Sequence, residues 1–472
     1  MRKRAGSKRI FAVIGAAVLI FAAMSPFIRA SAAEKTIEIS FWSIFPEGDP
    51  KKDSIEQLIA EFEALNSNIK VTHLGVNFWD YFGKIRTAQA GGTDPDVSFN
   101  DNCTVIIRAK SGVIRKLDSF MEKSGYDISE FRENNLNQYN YEGGIYALPF
   151  SSDFRLLYYN KDHFIQAGLD PDNPPQTIEE LIEYAENLDV WDGSKLVRVG
   201  FHPKLGNNSF YTDVWNIGGR FFNDDGTPNF LDETVMAGMR QYVELCNRYT
   251  MRQFNGFMTL TQAKVLDPFI VQLASMEVNG DWLAWDIEYY KEKNPNDPQF
   301  DFNWGVAPYP YTDNNRSSYG AGFSLELSSR STEEKAEAGF KLIQFLTSYE
   351  TQLRWVDIFQ FTPSNIRSLD ELLSNPAIPE NTRKIFEEAA YKRSPDVCEA
   401  VPEWWGYVLP ELDLIITGKL SLEQAMQNVQ NNLMDKINAY YDKSLTGPID
   451  LPLLIGIICL IVVTGCIVIF VK

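Results

Sequence analysis

Aromatic side chains are the residues of this chain with the clearest potential for ligand chemistry. Phe, Trp and Tyr make up 13% of the 472 residues, and all ten Trp lie between Trp42 and Trp405. Most large aromatic residues fill hydrophobic cores. A flat ring can also stack on the apolar face of a sugar, while carboxylates, amides and Arg side chains bond its hydroxyls. The composition therefore favours carbohydrate binding as a hypothesis to test on individual residues.

Residues for catalysis or metal binding have no recognisable arrangement in the sequence. The chain has no His-Glu-x-x-His, no Gly-x-Ser-x-Gly and no phosphate-binding loop. His73, His163 and His202 stand alone, without a Cys or His partner at metal-ligand spacing. We therefore expect a protein that is not an enzyme, with no catalytic residue, no metal and no cofactor. A pair among the 63 acidic residues could still serve a glycoside hydrolase, which stays open as an alternative.

The net charge and the cysteine content restrict which partners the domain can bind and how its fold is stabilised. The net charge of −19 argues against nucleic acid and against anionic lipid as partners of the domain surface. Cys103, Cys246 and Cys398 are odd in number and widely spaced, so at most one disulfide could form among them. We interpret them as buried thiols, and we expect a monomeric domain that is stabilised by packing alone.

Both ends of the chain carry signals for export or membrane attachment. Basic residues near the start precede the apolar run Ile10–Ile28 and the small residues Ala30 to Ala32, so residues 1–32 are predicted to be a signal peptide. An uncleaved signal anchor is the alternative, because the run is long. Leu451–Val471 contains no charged residue and is long enough to cross a bilayer core as a helix. We predict a transmembrane helix at residues 449–471 and a domain on the extracytoplasmic side of the cell membrane.

Strand-like and helix-like segments alternate along the chain, which predicts α/β layers. We expect strands at Thr36–Phe41, Val71–Val76 and Pro95–Phe99, and a helix at Tyr81–Ala90. A Ser or Thr followed three residues later by Glu or Gln predicts the start of each of four helices. These pairs are Ser54 with Gln57, Thr177 with Glu180, Ser331 with Glu334, and Ser421 with Gln424.

Residues 141–188 are the most informative stretch of the sequence. A Gly-rich turn leads into an apolar run closed by Pro149, followed by a strand-like run at Phe154–Tyr159, a Pro-rich break and the helix capped by Thr177. This order resembles the inter-lobe crossover of family 1 extracellular solute-binding proteins, the sugar-capturing subunits of ABC importers. Further similar segments follow the family's order: Phe41-Trp42, residues 88–100, Asn279–Trp282, Trp304–Pro310 and Gly320–Leu325.

The resemblance implies the periplasmic-binding-protein type II fold, with two α/β lobes joined by crossover strands and a ligand cleft between them. By that analogy the first lobe takes residues 36–147 and 309–348. The second lobe takes residues 148–308 and 349–445.

The resemblance also implies site residues of two kinds, aromatic platforms and polar groups. Trp282 matches the family's stacking Trp, whereas Trp42 and Trp215 are equally good candidates for core packing. Trp404 and Trp405 lie where relatives place a platform from the second lobe, and we expect one to stack on ligand and the other to pack inside. The polar candidates are Asp101 and Asn102 after a strand, Ser151 and Asp153 in the crossover, and Glu47 in a loop. For Asp153, a hydrogen bond within the hinge is the alternative role.

The function implied is capture of a carbohydrate, expected to be an oligosaccharide, and its delivery to the transmembrane subunits of an ABC permease. A ligand-binding subunit of a membrane sensor is the main alternative, and a membrane-anchored glycoside hydrolase is a weaker one. Glycerol phosphodiesters and polyamines also stay open as ligands. Few of the candidate cleft residues are Arg or Lys, which makes a phosphate ligand less attractive.

Overall fold

Two β-sheets organise the chain in a computed structural model that describes residues 35–262, 266–354 and 361–442. The first sheet has the spatial strand order Thr362–Pro363, Ala147–Ser152, Gly322–Leu327, Val97–Asp101, Ile37–Ser43 and Ile69–Gly75. The second has Met276–Gly280, Arg155–Asn160 and Trp304–Ala307 in that order. Shorter strand pairs join Asn140–Tyr141 to Gly144–Ile145, Val190–Asp192 to Lys195–Arg198, and Ser318–Tyr319 to Lys392–Arg393.

The helices follow the predicted alternation with strands. In chain order they lie at Pro50–Leu65, Phe78–Gly91, Val105–Lys110, Asp118–Ser124, Glu133–Leu136, Lys161–Gln166, Ile178–Leu188, Phe210–Trp215, Glu233–Cys246, Met251–Gln262, Trp282–Lys293, Glu333–Thr347, Tyr349–Gln352, Ile366–Ser374, Glu380–Glu388, Trp405–Ile416 and Leu422–Tyr441. Their packing against the two sheets produces the two lobes.

The first sheet begins with parallel strands because helices connect them. Ile37–Ser43 pairs in parallel with Ile69–Gly75 on one side and with Val97–Asp101 on the other. Parallel neighbours need a crossover connection, and the helices Pro50–Leu65 and Phe78–Gly91 provide it. Their apolar faces cover the sheet and form the core of the first lobe.

The central strand of the second sheet is buried on both faces. All six residues of Arg155–Asn160 are buried. Leu156 and Tyr158 belong to one apolar cluster, and Leu157 and Tyr159 belong to another. Since successive side chains of a strand point to opposite faces, this division shows that helices pack on both sides of the sheet.

Two of the four predicted helix caps are confirmed. The Thr177 hydroxyl accepts a hydrogen bond from the N–H of Glu180, and Ser421 forms a reciprocal capping box with Gln424.

The other two predicted caps are wrong. The helix assigned to Ser54 starts earlier, at Pro50, where the Asp49 carboxylate accepts from the N–H of Lys51 and a proline suits the first turn. The helix assigned to Ser331 is capped by Thr332, because the Ser331 hydroxyl donates instead to Asp96 at 2.7 Å.

The chain passes from the first lobe to the second later in the sequence than the predicted boundaries place the crossing. The strand Ala147–Ser152 stays in the first sheet, so the first crossing occurs at Asp153 and Phe154 rather than between residues 147 and 148. Pro149 does not close the strand, because it lies at a β-bulge where a missing N–H is tolerated. Thr362–Pro363, assigned to the second lobe, also pairs within the first sheet.

The predictions about the two chain ends concern residues that the structure does not describe, and the prediction about the cysteines is only partly confirmed. The predicted signal peptide at 1–32 and transmembrane helix at 449–471 lie outside the described residues. Within the described ranges, no helix is long and apolar enough to cross a membrane. Cys103, Cys246 and Cys398 are free thiols, but only Cys246 and Cys398 are buried as predicted.

A buried carboxyl group links the short helix Phe210–Trp215 to its surroundings. Asp213 is fully buried, and its carboxylate accepts hydrogen bonds from Gln241 Nε2 and Tyr309 Oη, both at 2.9 Å. Burial raises the pKa of Asp213 to about 7. The folded protein therefore binds this proton more tightly than the unfolded chain, in which an Asp pKa is about 3.9.

We predict that this group makes the free energy of unfolding decrease as the pH rises from about 4 to about 7. The substitution Asp213→Asn removes the titration, so the decrease should be smaller in the variant. Urea denaturation across this pH range measures the difference, with the exposed Asp224→Asn as the control. An unchanged pH dependence in Asp213→Asn would contradict the assignment.

Candidate functional site

A cleft of about 480 Å³ lies between the two lobes. The first lobe contributes Phe82, Arg86, Asp101, Cys103 and Thr104. The second lobe and the segment that joins the lobes contribute Asn207, Asn208, Ser209, Phe210, Tyr211, Tyr319, Glu403, Trp405 and Leu409. The cleft thus has aromatic rings and hydrogen-bonding groups on both walls.

The wall from the first lobe presents a carboxylate with a fixed orientation. Asp101 ends the strand Val97–Asp101 and accepts from the N–H of Thr104 at 3.0 Å and from its hydroxyl at 2.7 Å. The Arg108 guanidinium lies 3.3 Å from Asp101 and also bonds the buried Glu326. The Asp101 side chain keeps 31% of its surface exposed, so it is oriented by the protein and still accessible from the cleft.

The opposite wall is formed by the starts of two helices. Phe210–Trp215 presents Tyr211, whose ring stacks on that of Tyr319 with centres 5.1 Å apart. Trp405–Ile416 presents Trp405 and Leu409, which share one face because they are four residues apart. These two helix starts therefore provide the aromatic and apolar part of the wall.

One acidic residue of the second lobe faces the acidic residue of the first. Glu403 lines the same cleft as Asp101. Burial and the charge of Asp101 raise the pKa of Glu403, while Arg86 acts in the opposite sense. The two carboxylates and the guanidinium can bond several hydroxyl groups of a ligand held between them.

A buried guanidinium connects the second wall to the crossover. Arg155 Cζ lies 4.8 Å from the ring centre of Trp282 and 5.0 Å from that of Tyr319. Its Nε donates to the side-chain oxygen of Asn207 at 2.9 Å, and Nη1 lies 3.2 Å from the Asp153 carboxylate. Asn207 and Tyr319, which line the cleft, are thereby held by the crossover itself.

A second contact joins the lobes away from these cleft-lining residues. The Lys51 ammonium, from the first helix of the first lobe, lies 4.7 Å from the ring centre of Trp285 and 4.6 Å from that of Phe361. Burial lowers the pKa of Lys51, and nearby Asp286 opposes that shift. We call this contact the Lys51 clasp.

Of the residues predicted from the sequence, the structure brings Asp101 and Trp405 together in the cleft. Trp404 is fully buried, packs 5.0 Å from Phe221 between ring centres, and donates from Nε1 to the carbonyl of Asp396 at 2.8 Å. Trp404 therefore packs in the core and Trp405 lines the cleft, and stacking of Trp405 on a ligand stays a prediction.

The remaining aromatic candidates do not line the described cleft. Trp282 is half-buried beneath Arg155, and Trp42 is half-buried with Lys84 Nζ 5.3 Å from its ring centre. Trp215 is 1% exposed and stacks on Tyr211. These three rings support the residues around the cleft from behind or beside it.

The other polar candidates also lie outside the cleft lining. Asn102 and Ser151 are buried, and the Asn102 amide donates to the carbonyl of Ala321 at 3.2 Å. Asp153 accepts from the N–H of Ala321 at 2.6 Å, which agrees with the alternative role in the hinge. The Glu47 side chain is 91% exposed and pairs with Lys52 at 3.0 Å.

Sequence reasoning missed most residues of the cleft. Phe82 and Arg86 have the four-residue spacing of one helix face, which could have indicated them. Tyr211, Tyr319 and Glu403 have no comparable local signal, because they meet only through the folding of distant segments. Across the described part of the chain, no group of three or more His, Cys, Asp or Glu side chains is placed to hold a metal.

The chain is similar to known bacterial binding proteins. A family model described as bacterial extracellular solute-binding protein matches residues 48–353. The sn-glycerol-3-phosphate-binding periplasmic protein UgpB of Escherichia coli K12 is 24% identical over 434 residues, which cover 84% of this chain and 91% of the relative.

Two solved structures share the fold at low sequence identity. An ABC substrate-binding protein from Listeria monocytogenes in complex with cycloalternan has a TM-score of 0.69 and 23% identity, covering 86% of this chain and 99% of that one. UgpB from Mycobacterium tuberculosis in complex with glycerophosphocholine has a TM-score of 0.68 and 21% identity, covering 85% and 99%. The predicted α/β fold of the periplasmic-binding-protein type is therefore confirmed.

The Lys51 clasp leads to a prediction about lobe closure. Lys51→Ala removes a cation held between two rings, so the population of closed molecules should decrease by about tenfold relative to open ones. Electron–electron distance measurements between one spin label on each lobe report this population.

Lys52→Ala is the matched control, because the ion pairs of Lys52 with Glu47 and Glu56 lie within its own lobe. Equal inter-lobe distances in wild type and both variants would show that the clasp does not hold the lobes together.

Proposed function

The chain belongs to the bacterial extracellular solute-binding protein family, and from this premise we propose that it captures a carbohydrate between its lobes and delivers it to an ABC permease. The ligand is an oligosaccharide, and the protein binds it without turnover. The observation that carries the proposal is the cleft itself, in which aromatic rings and carboxylates face one another from both lobes.

The cleft chemistry supports a sugar as ligand. The half-buried ring of Trp405 offers a flat apolar surface for the C–H face of a pyranose, while Tyr211 and Tyr319, stacked on each other, complete the aromatic lining. Asp101 and Glu403 accept hydrogen bonds from hydroxyl groups at the edge of the same sugar. Because these groups come from both lobes, a bound sugar contacts the two lobes together and stabilises the closed state.

The proposal also includes export of the chain from the cytoplasm and anchoring of the domain at the membrane. The predicted signal peptide at residues 1–32 directs the chain out of the cytoplasm. The predicted helix at 449–471 keeps the domain at the outer face of the membrane, beside the permease to which ligand is passed. Supporting this location, the UgpB relative from Escherichia coli is a periplasmic protein by name.

Substitution of Trp405, the half-buried tryptophan of the cleft, tests the sugar site. Trp405→Ala removes one stacking surface, so sugar affinity should decrease by about tenfold or more, whereas Trp405→Phe should recover part of it. Isothermal titration calorimetry against a panel of mono- and oligosaccharides measures both effects. Trp191→Ala, outside the cleft lining, is the control. If the wild-type protein bound none of the sugars in the panel, the result would count against a carbohydrate ligand.

A glycerophosphodiester is the second candidate ligand, because Arg86 places a cation on the cleft wall and two similar proteins carry glycerol phosphate compounds in their names. Against it, two carboxylates line the same cleft and disfavour a phosphate.

Arg86→Gln distinguishes the two candidates. Binding of glycerol 3-phosphate or glycerophosphocholine should disappear in the variant if a phosphate is the natural ligand, since its charge partner is removed. Under the carbohydrate proposal, neither compound binds the wild-type protein, and sugar affinity decreases only a few-fold in Arg86→Gln. Tight binding of glycerophosphocholine that depends on Arg86 would replace the carbohydrate proposal.

A further inference from the structure

The helix Phe78–Gly91 extends the aromatic surface of the cleft outward. Phe82 and Arg86 line the cleft, and Trp79 lies three and seven residues before them. This spacing puts all three side chains on one face of the helix. Trp79 is 85% exposed, which is unusual for the largest apolar side chain.

Ring contacts hold Trp79 in a defined place beside the cleft. Its ring packs edge-on against Phe78 with centres 5.1 Å apart, and Phe78 packs edge-on against Phe82 at 5.4 Å. Phe78 also contacts Phe323, the strand neighbour of Asp101. A continuous row of rings therefore leads from the cleft wall to the exposed indole.

A glycine in the same helix leaves an open surface next to this row. Gly83 is exposed, and no heavy atom lies within 4 Å of the position that its Cβ would occupy. Its backbone is ordinary right-handed helix, so the fold has no steric or conformational need for glycine here. Glycine in a helix interior is less stable than alanine. Because Gly83 lies one turn after Trp79, its missing side chain leaves room for a ligand beside the indole ring.

Polar side chains border the exposed ring on the helix. Asp80, Lys84 and Thr87 are exposed around Trp79 and Gly83. The exposed apolar surface thus consists of Trp79 and the adjoining Phe78, with hydrogen-bonding groups at its edges. This is the shape of a sugar platform rather than of a protein–protein interface, which needs a much larger area.

We propose that Trp79 and Gly83 form an outer subsite that stacks on a sugar ring protruding from the cleft. The inference rests on the proposed function and narrows its ligand to an oligosaccharide that spans the cleft and this platform. A short sugar occupies the cleft alone, whereas a longer one gains the additional stacking contact on Trp79.

Calorimetry with linear α-1,4-glucose and β-1,4-mannose oligosaccharides, from disaccharide to hexasaccharide, tests the outer subsite. Wild-type affinity should increase with chain length in the series that binds. Trp79→Ala and Gly83→Leu should each lower affinity for the hexasaccharide by about tenfold and leave the disaccharide unchanged.

Matched controls separate binding from folding. Trp191→Ala removes another exposed tryptophan, and Gly256→Leu fills another open position in a helix interior, both outside the cleft lining. Neither should change affinity. Gly83→Ala and Gly256→Ala should both raise Tm, because each glycine has unoccupied space beside it.

The possible results distinguish failure of the outer subsite from failure of the carbohydrate proposal. Equal wild-type affinity for disaccharide and hexasaccharide, with no effect of Trp79→Ala, would overturn the outer subsite alone. Absence of binding to every oligosaccharide would overturn the carbohydrate proposal and the subsite with it.

Discussion

The buried guanidinium of Arg155 is the interaction on which the two-lobed arrangement most depends. Removing a charge from water is costly unless partners compensate it, and Arg155 keeps only 5% of its surface exposed. Asp153 in the crossover and Asn207 on the cleft wall supply those partners. Ser318, in the second crossover, between the strands Trp304–Ala307 and Gly322–Leu327, accepts from the Arg155 N–H and donates to its carbonyl. One residue thus connects two crossovers with a wall of the ligand site.

Other buried charges gather at the same joint. Burial lowers the pKa of Lys392 to about 8, with Asp153 and Asp281 opposing the shift. Burial, together with the charge of Asp153, raises the pKa of Asp281 to about 6. The Asp281 carboxylate accepts from both the N–H and the hydroxyl of Thr362 in the edge strand of the first sheet. A displacement of any of these segments would separate a buried charge from its partner, so we expect these contacts to persist when the lobes open and close.

The sequence predicted the framework well because its signals are local. Capping pairs such as Thr177 with Glu180 act over three residues, and the segment order indicated the family. The Ser54 cap failed because Asp49 and the proline after it begin the helix sooner. The cleft was harder to predict, since Tyr211 and Tyr319 are far apart in the chain and meet only in the folded protein. Trp404 and Trp405 are adjacent residues at the start of a helix, so their side chains point in different directions. Which of the two faces the core is decided by tertiary packing, which the sequence does not reveal.

The lobes, the joint and the aromatic cleft support one account, in which ligand capture is closure of two rigid bodies on a sugar. A crystal structure of the protein grown with its tightest-binding oligosaccharide tests that account most directly. We predict a pyranose ring stacked on Trp405, with hydroxyl groups bonded to Asp101 and Glu403 and both lobes in contact with the ligand. A ligand bound to one lobe only, or at a surface away from these residues, would contradict it.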